Sequence, residues 1–197
     1  MSPDPLAVAD IADIAAVADE LARARRVVLV PGYGLAVAQA QHALAHLAGT
    51  LRRRGTTVEI AVHPVAGRMP GQLNVLLDAA GVAWSDLRDG DTAEFDGVDV
   101  ALLVGANDVV NPALRMPVFP VERAHRVVAL LRSAGPGFAG VENRVLRRAT
   151  VLLGDALELL LVLVRETEQA VAGVPQPGDD VADVVEPLVE PGDDDRD

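Results

Sequence analysis

The sequence predicts an α/β fold built around a mostly parallel β-sheet. Short β-branched, apolar runs alternate along the chain with amphipathic stretches, an order typical of βαβ units. The apolar runs are nearly continuous, which indicates strands that are buried on both faces. The predicted strands span residues 27–30, 58–62, 82–85, 98–104, 126–131 and 150–153.

Helical periodicity predicts the elements between these strands. Apolar residues recur at three- and four-residue steps from Ile11 to Leu21, which predicts a first helix over 5–25. A second helix is predicted over 34–54, where Gly55 ends it. Further helices are predicted over 72–80 and 155–171, and Trp84 is predicted to pack at the start of the third strand.

Composition excludes several kinds of chemistry. The 197 residues include no cysteine and no lysine, so this chain offers no disulfide, thiolate metal site, phosphate-loop lysine or Schiff base. Residues 173–197 contribute −8 of the net charge of −12, leaving a mildly acidic body without the basic face that nucleic acids need. This tail reads as disordered solvating sequence, with an acidic interaction tail as the alternative.

No segment of the sequence resembles a targeting signal or a membrane span. The apolar run 159–164 is far shorter than the ~20 residues that a spanning helix needs, and it predicts a helix that is buried or covered by a partner. We therefore expect a soluble, cytoplasmic protein. His42 and His46 lie one helical turn apart, but without a third ligand they predict a surface pair rather than a metal site.

The loops that follow the strands are the candidate functional site, because open parallel sheets bind ligands at the carboxyl ends of their strands. The first of these loops places Gly32, Tyr33 and Gly34 between a strand and a helix, the context of a dinucleotide fingerprint. In that fingerprint the helix N-terminus faces the pyrophosphate. Val37 occupies the third position of the fingerprint in place of Gly or Ala, and a plain tight turn explains the pattern equally well.

The second loop (63–71) and the third loop (105–112) carry polar side chains, each of which allows two interpretations. Arg68 suits a phosphate, because its guanidinium is a forked donor, or a surface ion pair. His63 is either a polar lining residue or a structural one. Asn107 and Asp108 either cap the turn that follows them or face a ligand.

The fourth loop (132–143) contains an arginine, a serine and several glycines. Arg132 and Ser133 suit a phosphomonoester, and three glycines within six residues suit a mobile lid or a flexible connection.

Five motifs in order carry a family resemblance: PGYGLAVAQAQH, HPVAGRMPGQLNVLL, GANDVVNP, RSAGPGFAGVEN and LLGDA. Together they resemble the NADP(H)-binding domain of proton-translocating nicotinamide nucleotide transhydrogenase, the third domain of that enzyme, at the end of its beta subunit. The resemblance covers about 7–171. It implies a Rossmann-like, doubly wound, six-stranded sheet with helices on both faces. It divides the chain into a lead-in helix (1–26), a dinucleotide-binding domain (27–172) and the acidic tail (173–197).

The resemblance also implies the activity and its residues. NADP(H) is bound in reversed orientation and exchanges hydride with NAD(H) on a separate domain, while a membrane domain couples this to proton movement. Asp108 matches the acid linked to that coupling, Arg132 and Ser133 part of the 2′-phosphate pocket, and 137–140 the lid. Together with the fingerprint positions, the implied cofactor-binding residues are Gly32, Tyr33, Gly34, Val37, Val65, Ala66, Gly67, Arg68, Met69, Pro70, Gly105, Ala106, Asn107, Asp108, Val109, Arg132, Ser133, Gly137, Phe138, Ala139, Gly140, Asp155 and Ala156.

Departures from the family leave two functions open. Leu131 stands where the family has lysine, which predicts a weaker preference for NADP(H), by roughly one to two decades. Phe138 replaces the lid tyrosine and Glu142 an aspartate. The acidic tail favours a free-standing relative over an excised domain, reaching a membrane only through a partner. We therefore expect a hydride-exchanging component or, alternatively, a nucleotide-binding regulatory module with altered NADP/NAD preference; a relic without useful affinity is a weaker third reading.

Overall fold

The computed structural model describes residues 11–89, 92–131, 135–153, 157 and 160–165. Its described strands form one six-stranded sheet in the order β3-β2-β1-β4-β5-β6, and all five pairings are parallel. The strands are β1 (Arg26–Pro31), β2 (Thr57–Val62), β3 (Leu87–Asp89), β4 (Val100–Val104), β5 (Arg126–Leu131) and β6 (Thr150–Leu153). The helices are α1 (Ile11–Arg23), α2 (Tyr33–Val37), α3 (Gln41–Arg53) and α4 (Gln72–Ala79).

The centre of the sheet is its apolar core. All five residues of β4 are buried, and successive side chains of a strand point to opposite faces, so both faces of the sheet are covered. In register, Leu29 of β1 lies beside Ile60 of β2 and Leu102 of β4. The winding reverses between β1 and β4, because the chain leaves β1 towards β2 and β3 and later returns to the other side of β1. The Rossmann-like α/β prediction is confirmed.

The predicted helix over 34–54 is wrong as a single element. It is divided into α2 and α3 by residues 38–40, where Gln39 adopts a left-handed conformation with φ of 54°. That conformation costs roughly 1–2 kcal/mol for a residue other than glycine. The helical spacing of apolar residues continues across residues 38–40, so the sequence does not indicate that the helix is interrupted there. The stripe of Leu44, Leu47 and Leu51 on α3 is buried as predicted.

The third strand also differs from its prediction. Residues 84–86 form a 3₁₀ turn, β3 follows at Leu87, and Trp84 is 56% exposed rather than packed. β3 lies at the edge of the sheet and pairs only with β2. An edge strand needs no continuous apolar run, which is why the sequence Leu87-Arg88-Asp89 gave no strand signal.

The ends of the chain are described in part. The described portion of the first predicted helix is α1, whose residues Ile14, Val17 and Leu21 are buried, and residues 1–10 lie outside the described residues. Residues 157 and 160–165 are helical and bury Leu160 and Val164; the rest of the helix predicted over 155–171, and the tail, lie outside the described residues. None of the described helices is both long and apolar enough to cross a bilayer.

A carboxylate clamps the start of the sheet. Oδ2 of Asp99, just before β4, accepts the backbone N–H groups of Arg25 (2.8 Å) and Arg26 (2.9 Å) at the start of β1. These hydrogen bonds, that of Arg26 first, hold the pKa of Asp99 below its ordinary value of 3.8. The clamp therefore contributes stability that is present above pH 3.8 and is lost as pH falls through the lowered pKa of the folded protein.

We expect Asp99→Asn to lower the free energy of unfolding by about 1 kcal/mol at neutral pH, because a neutral oxygen accepts these bonds more weakly. The difference between the variant and the wild type should shrink in acid, where the wild-type carboxyl is also neutral. Urea unfolding measured from neutral pH to below 3.8 tests both statements. A difference that stays constant over this range would contradict them.

Candidate functional site

A cavity of about 790 Å³ opens where the winding of the sheet reverses, at the carboxyl ends of β1 and β4. Loops following β1, β2, β4 and β5 form its walls. The described lining residues are Gly32, Tyr33, Gly34, Val65, Ala66, Gly67, Arg68, Gly105, Ala106, Asn107, Asp108, Val109, Leu114, Met116, Leu131, Gly135, Pro136, Gly137, Phe138 and Ala139.

Glycine backbones form the floor between the first and third loops. The Gly34 N–H donates to the Gly105 carbonyl at 2.9 Å, and the Gly32 N–H donates to the carbonyl of Val104 at 2.9 Å. A Cβ added to Gly34 would lie 2.7 Å from the Gly105 Cα, a distance that real Cβ atoms do not show. Gly105 itself has φ of +64°, which favours glycine. The packing of the two loops therefore requires these glycines, whatever the cavity binds.

Arg68 and Tyr33 meet across the cavity wall. The guanidinium carbon of Arg68 lies 5.2 Å from the centroid of the Tyr33 ring, a cation–π contact. The Arg68 backbone N–H donates to Oε1 of Gln72 at 2.7 Å, which fixes the second loop to the start of α4. Arg68 is exposed and forms no ion pair within the described ranges, so its guanidinium is available to an anion.

His63 has a structural role, the second of its two predicted readings. It is buried; its Nδ1 accepts the Val65 N–H (3.3 Å), so Nε2 carries the proton and donates to the Pro117 carbonyl (2.9 Å). Its ring meets that of Phe119 edge-on at 5.1 Å, and the Phe119 N–H donates to the carbonyl of Val109. His63 thus joins the second loop to the third.

Asn107 and Asp108 reach the fourth loop, and neither side chain caps the turn that follows it. Asn107 Nδ2 donates to the Gly135 carbonyl at 3.2 Å, and Asp108 Oδ2 accepts the Ala139 N–H at 3.1 Å. The second carboxylate oxygen, Oδ1, is buried without a hydrogen-bond partner in the described residues. Gly137 covers that oxygen, since a Cβ on Gly137 would lie 2.7 Å from the Asp108 Cγ.

Two buried asparagines that the sequence did not single out complete this attachment. Asn143 Nδ2 donates to the Asn107 carbonyl at 2.9 Å, and Asn111 Nδ2 donates to the Val141 carbonyl at 3.1 Å. Residues 135–143 include the predicted lid, 137–140, and the residues on either side of it. Side-chain hydrogen bonds to backbone groups hold this segment in place. We call this segment the lid. The sequence offered one signal for this attachment, because both asparagines lie in loops at the carboxyl ends of the strands.

Most of the predicted site residues that are described lie in the cavity wall. Val37, Met69, Pro70 and Gly140 do not line it. Arg132, Ser133, Asp155 and Ala156 lie outside the described residues, so their assignment stays a prediction. Lining residues that the sequence analysis did not single out are Leu114, Met116 and Pro136; Leu131, at the lysine position of the family motif, and Gly135, a glycine of the fourth loop, also line the cavity.

His42 and His46 are exposed on α3. The described residues contain no cluster of three or more potential metal ligands.

The fold and the cavity define a class: a Rossmann-like α/β protein with a cavity at the switch point of a 3-2-1-4-5-6 parallel sheet. Within it, residues 6–166 match the family described as NAD(P) transhydrogenase beta subunit, and the chain belongs to this family. It is 44% identical over 155 residues to the NAD(P) transhydrogenase subunit beta of Rhodospirillum rubrum, covering 72% of this chain and 33% of that protein. The resemblance carried by the motifs is confirmed. The chain spans about a third of the length of the curated relatives it matches.

A solved structure shares the fold at low sequence identity. A thiamin diphosphate-dependent enzyme from Mycobacterium smegmatis matches 83% of this chain and 29% of its own, with a TM-score of 0.50 and 18% identity. The benzoylformate decarboxylase of Polynucleobacter necessarius matches 81% of this chain and 27% of its own, with a TM-score of 0.46 and 14% identity. At 18% identity, the first of these likenesses shows the fold alone.

Gly137→Ala is expected to release the lid, because the new methyl group would occupy the position of the Asp108 carboxylate and break its bond to Ala139. Amide hydrogen exchange should show faster exchange at Ala139, with the core strands unchanged. Gly135→Ala is the matched control, since a Cβ there meets nothing within 4 Å. Equal exchange in the two variants would contradict the proposed contact.

Proposed function

We propose that the chain binds NADP(H) in the cavity at the switch point and that the bound nucleotide exchanges hydride with NAD(H) held by a separate domain or subunit. The observation that carries the proposal is the composition of the cavity wall. Four of the five motifs that resemble the transhydrogenase NADP(H) domain contribute residues to this one cavity. The cofactor supplies the hydride chemistry, while the chain binds and orients it.

The residues present fit a dinucleotide. The volume of about 790 Å³ falls in the range of roughly 300–1,000 Å³ that ligand cavities occupy. The glycine floor lets a pyrophosphate approach the backbone, and Arg68 offers an exposed cation beside Tyr33. By resemblance, Arg132 and Ser133 would hold the 2′-phosphate, and residues 105–109 would lie along the pyrophosphate and nicotinamide.

The buried oxygen of Asp108 supports a role beyond binding. A carboxylate oxygen without a partner is costly, and such groups concentrate at functional sites. Asp108 also holds the lid through Ala139, so a change at the carboxylate changes the lid. This arrangement agrees with the coupling role that the resemblance assigns to Asp108.

The rim of the cavity suits a partner that excludes water. Val65 and Met69 are 58% and 65% exposed, and Phe138 on the lid is fully exposed. Apolar side chains in such positions are typical of surfaces that a ligand or a protein partner covers. Hydride exchange between two nucleotides needs them to meet in a shielded site, so an NAD(H)-binding domain docked here would complete it.

One observation favours a second candidate, a nucleotide-binding regulatory module. Leu131, which stands at the lysine position of the family motif, is 7% exposed and lines the cavity. Among the described lining residues, Arg68 is the only cation. A pocket with fewer cations discriminates less strongly between NADP(H) and NAD(H), and such a module would report nucleotide occupancy through the lid.

Calorimetric titration of the nucleotide-stripped protein with NADP⁺, NADPH, NAD⁺ and NADH tests the nucleotide assignment. We expect binding at micromolar concentration or tighter for the phosphorylated pair, about −8 kcal/mol or more favourable. Equal or stronger binding of the NAD pair would favour the regulatory module instead. Binding of none of the four would contradict both candidates.

A second arm of that experiment adds an NAD(H)-binding transhydrogenase domain and follows hydride transfer between the two nucleotides by absorbance. Transfer that depends on both proteins supports the catalytic component. Binding of NADP(H) without any transfer would favour the regulatory module.

Arg68→Gln should weaken NADP(H) binding by roughly 10- to 100-fold, because a charge-assisted hydrogen bond to phosphate contributes about 1.5–3 kcal/mol. Calorimetry measures the change. Arg115→Gln is the matched control: it removes another exposed arginine that forms no ion pair within the described ranges and does not line the cavity. Equal affinities of the two variants would remove Arg68 from the site.

A further inference from the structure

We propose that the acidic segment 173–197 docks on a cluster of arginines at the amino edge of the sheet, where the strands begin. This is opposite the edge at the carboxyl ends of the strands, which holds the cavity. The cluster, called here the arginine cluster, consists of Arg25, Arg53, Arg54 and Arg165. It is a surface that neither the cavity nor hydride exchange uses.

The fold brings these four residues together from three distant parts of the sequence. Helix α3 ends with Arg53, followed by its C-cap residue Arg54, just before β2 begins. The Thr57 N–H donates to the Arg25 carbonyl at 2.8 Å, which places Arg25 beside the start of β2. Nη1 of Arg54 donates to the Val164 carbonyl at 3.4 Å, which places Arg165 beside the end of α3.

Within the described residues, the positive charge of the cluster is compensated only in part, by Glu20 and Asp99 near Arg25. Arg25, Arg53 and Arg165 are exposed, and none of the four arginines forms an ion pair within the part of the chain that the structure describes. Among the described residues, the Arg53 side chain donates to the Thr50 hydroxyl, and Nε of Arg54 is buried without a described partner.

Three described carboxylates on the same edge already have partners. Glu59 pairs with Arg26 at 3.6 Å, and Glu20 pairs with Arg126 at 3.3 Å. Asp99 accepts two backbone N–H groups and offsets part of the Arg25 charge. The cluster therefore presents cations to any further anion.

The anion of matching charge is carried by the same chain, and it starts from the cluster itself. Residue 165 lies beside Arg54, and 173–197 hold nine acidic residues and one arginine. Thirteen residues separate Arg165 from Asp179, the first acid of the segment. The predicted helix would extend residues 166–171 by about 9 Å, and the seven residues 172–178 span about 15 Å as a coil, so the acids stay within reach of the cluster.

Tethering makes weak contacts sufficient. Single exposed ion pairs are weak and salt-sensitive, but a short linker raises the local concentration of the segment to about millimolar. Several pairs formed together then hold it in place. The cavity edge, where Arg68 is the only cation among the described lining residues, is the competing surface that the labelling experiment distinguishes.

A spin label on the segment tests the docking in the full chain. The sequence contains no cysteine, so Val189→Cys accepts a nitroxide at one defined place. In dilute buffer we expect amide signals of Arg53, Gly55 and Thr57 to lose intensity, while those of Val65 and Ala139 at the cavity edge do not. In about 1 M salt, where the Debye length is about 3 Å, the signals should recover.

Charge variants of the labelled chain distinguish docking on the arginine cluster from nonspecific electrostatic attraction to the protein. The double variant Arg25→Gln with Arg53→Gln should restore the intensity of Gly55 and Thr57. Arg115→Gln, the matched loss of an exposed arginine outside the cluster, should leave the intensity loss unchanged.

Three outcomes would overturn the proposal. One is an intensity loss that is uniform, or centred on the cavity edge. Another is a loss that persists in the double variant. The third is a loss that appears in an isotope-labelled chain without nitroxide when it is mixed with a nitroxide-labelled chain, which would place the segment on a second copy instead.

Discussion

Contact between glycine backbones at the ends of β1 and β4 positions the rest of the site. Gly32, Gly34 and Gly105 approach so closely that a side chain on any of them would overlap backbone atoms of the facing loop. The contact sets where α2 begins and brings two central loops to the switch point of the sheet. Because strand register fixes Pro31 beside Val104, the buried sheet determines this meeting point before any ligand is present.

Around that rigid floor, polar side chains connect the other loops to one another, in addition to the buried apolar residues of the second and third loops. His63 connects the second loop to the third, and Asn107, Asp108 and Asn143 connect the third loop to the lid. A few hydrogen bonds of this kind can break without disturbing the core. The site therefore combines a rigid glycine floor with a lid held by a few hydrogen bonds, an arrangement that fits the proposed binding of a nucleotide that a partner must reach.

The amino edge of the sheet and the carboxyl edge, which holds the cavity, differ in the charges that they carry. Among the described lining residues the cavity carries one cation and one anion, Arg68 and Asp108, so backbone groups and apolar contacts dominate it. At the amino edge, the ends of α1 and α3 and the starts of β1 and β5 bring many arginines together. In the proposed docking, separation of this kind would keep the acidic segment away from a site that is proposed to bind phosphates.

The sequence by itself determined the central strands, the α3 stripe and the glycine loops, because buried strands and tight turns depend on local residue type. Only the tertiary structure decided the break at Gln39, the edge strand β3 and the pairing of Asn111 and Asn143 with the lid. A single left-handed residue leaves the apolar period intact, and an edge strand needs little apolar sequence. The asparagines act on backbone groups about 30 residues away, a distance that no local pattern spans.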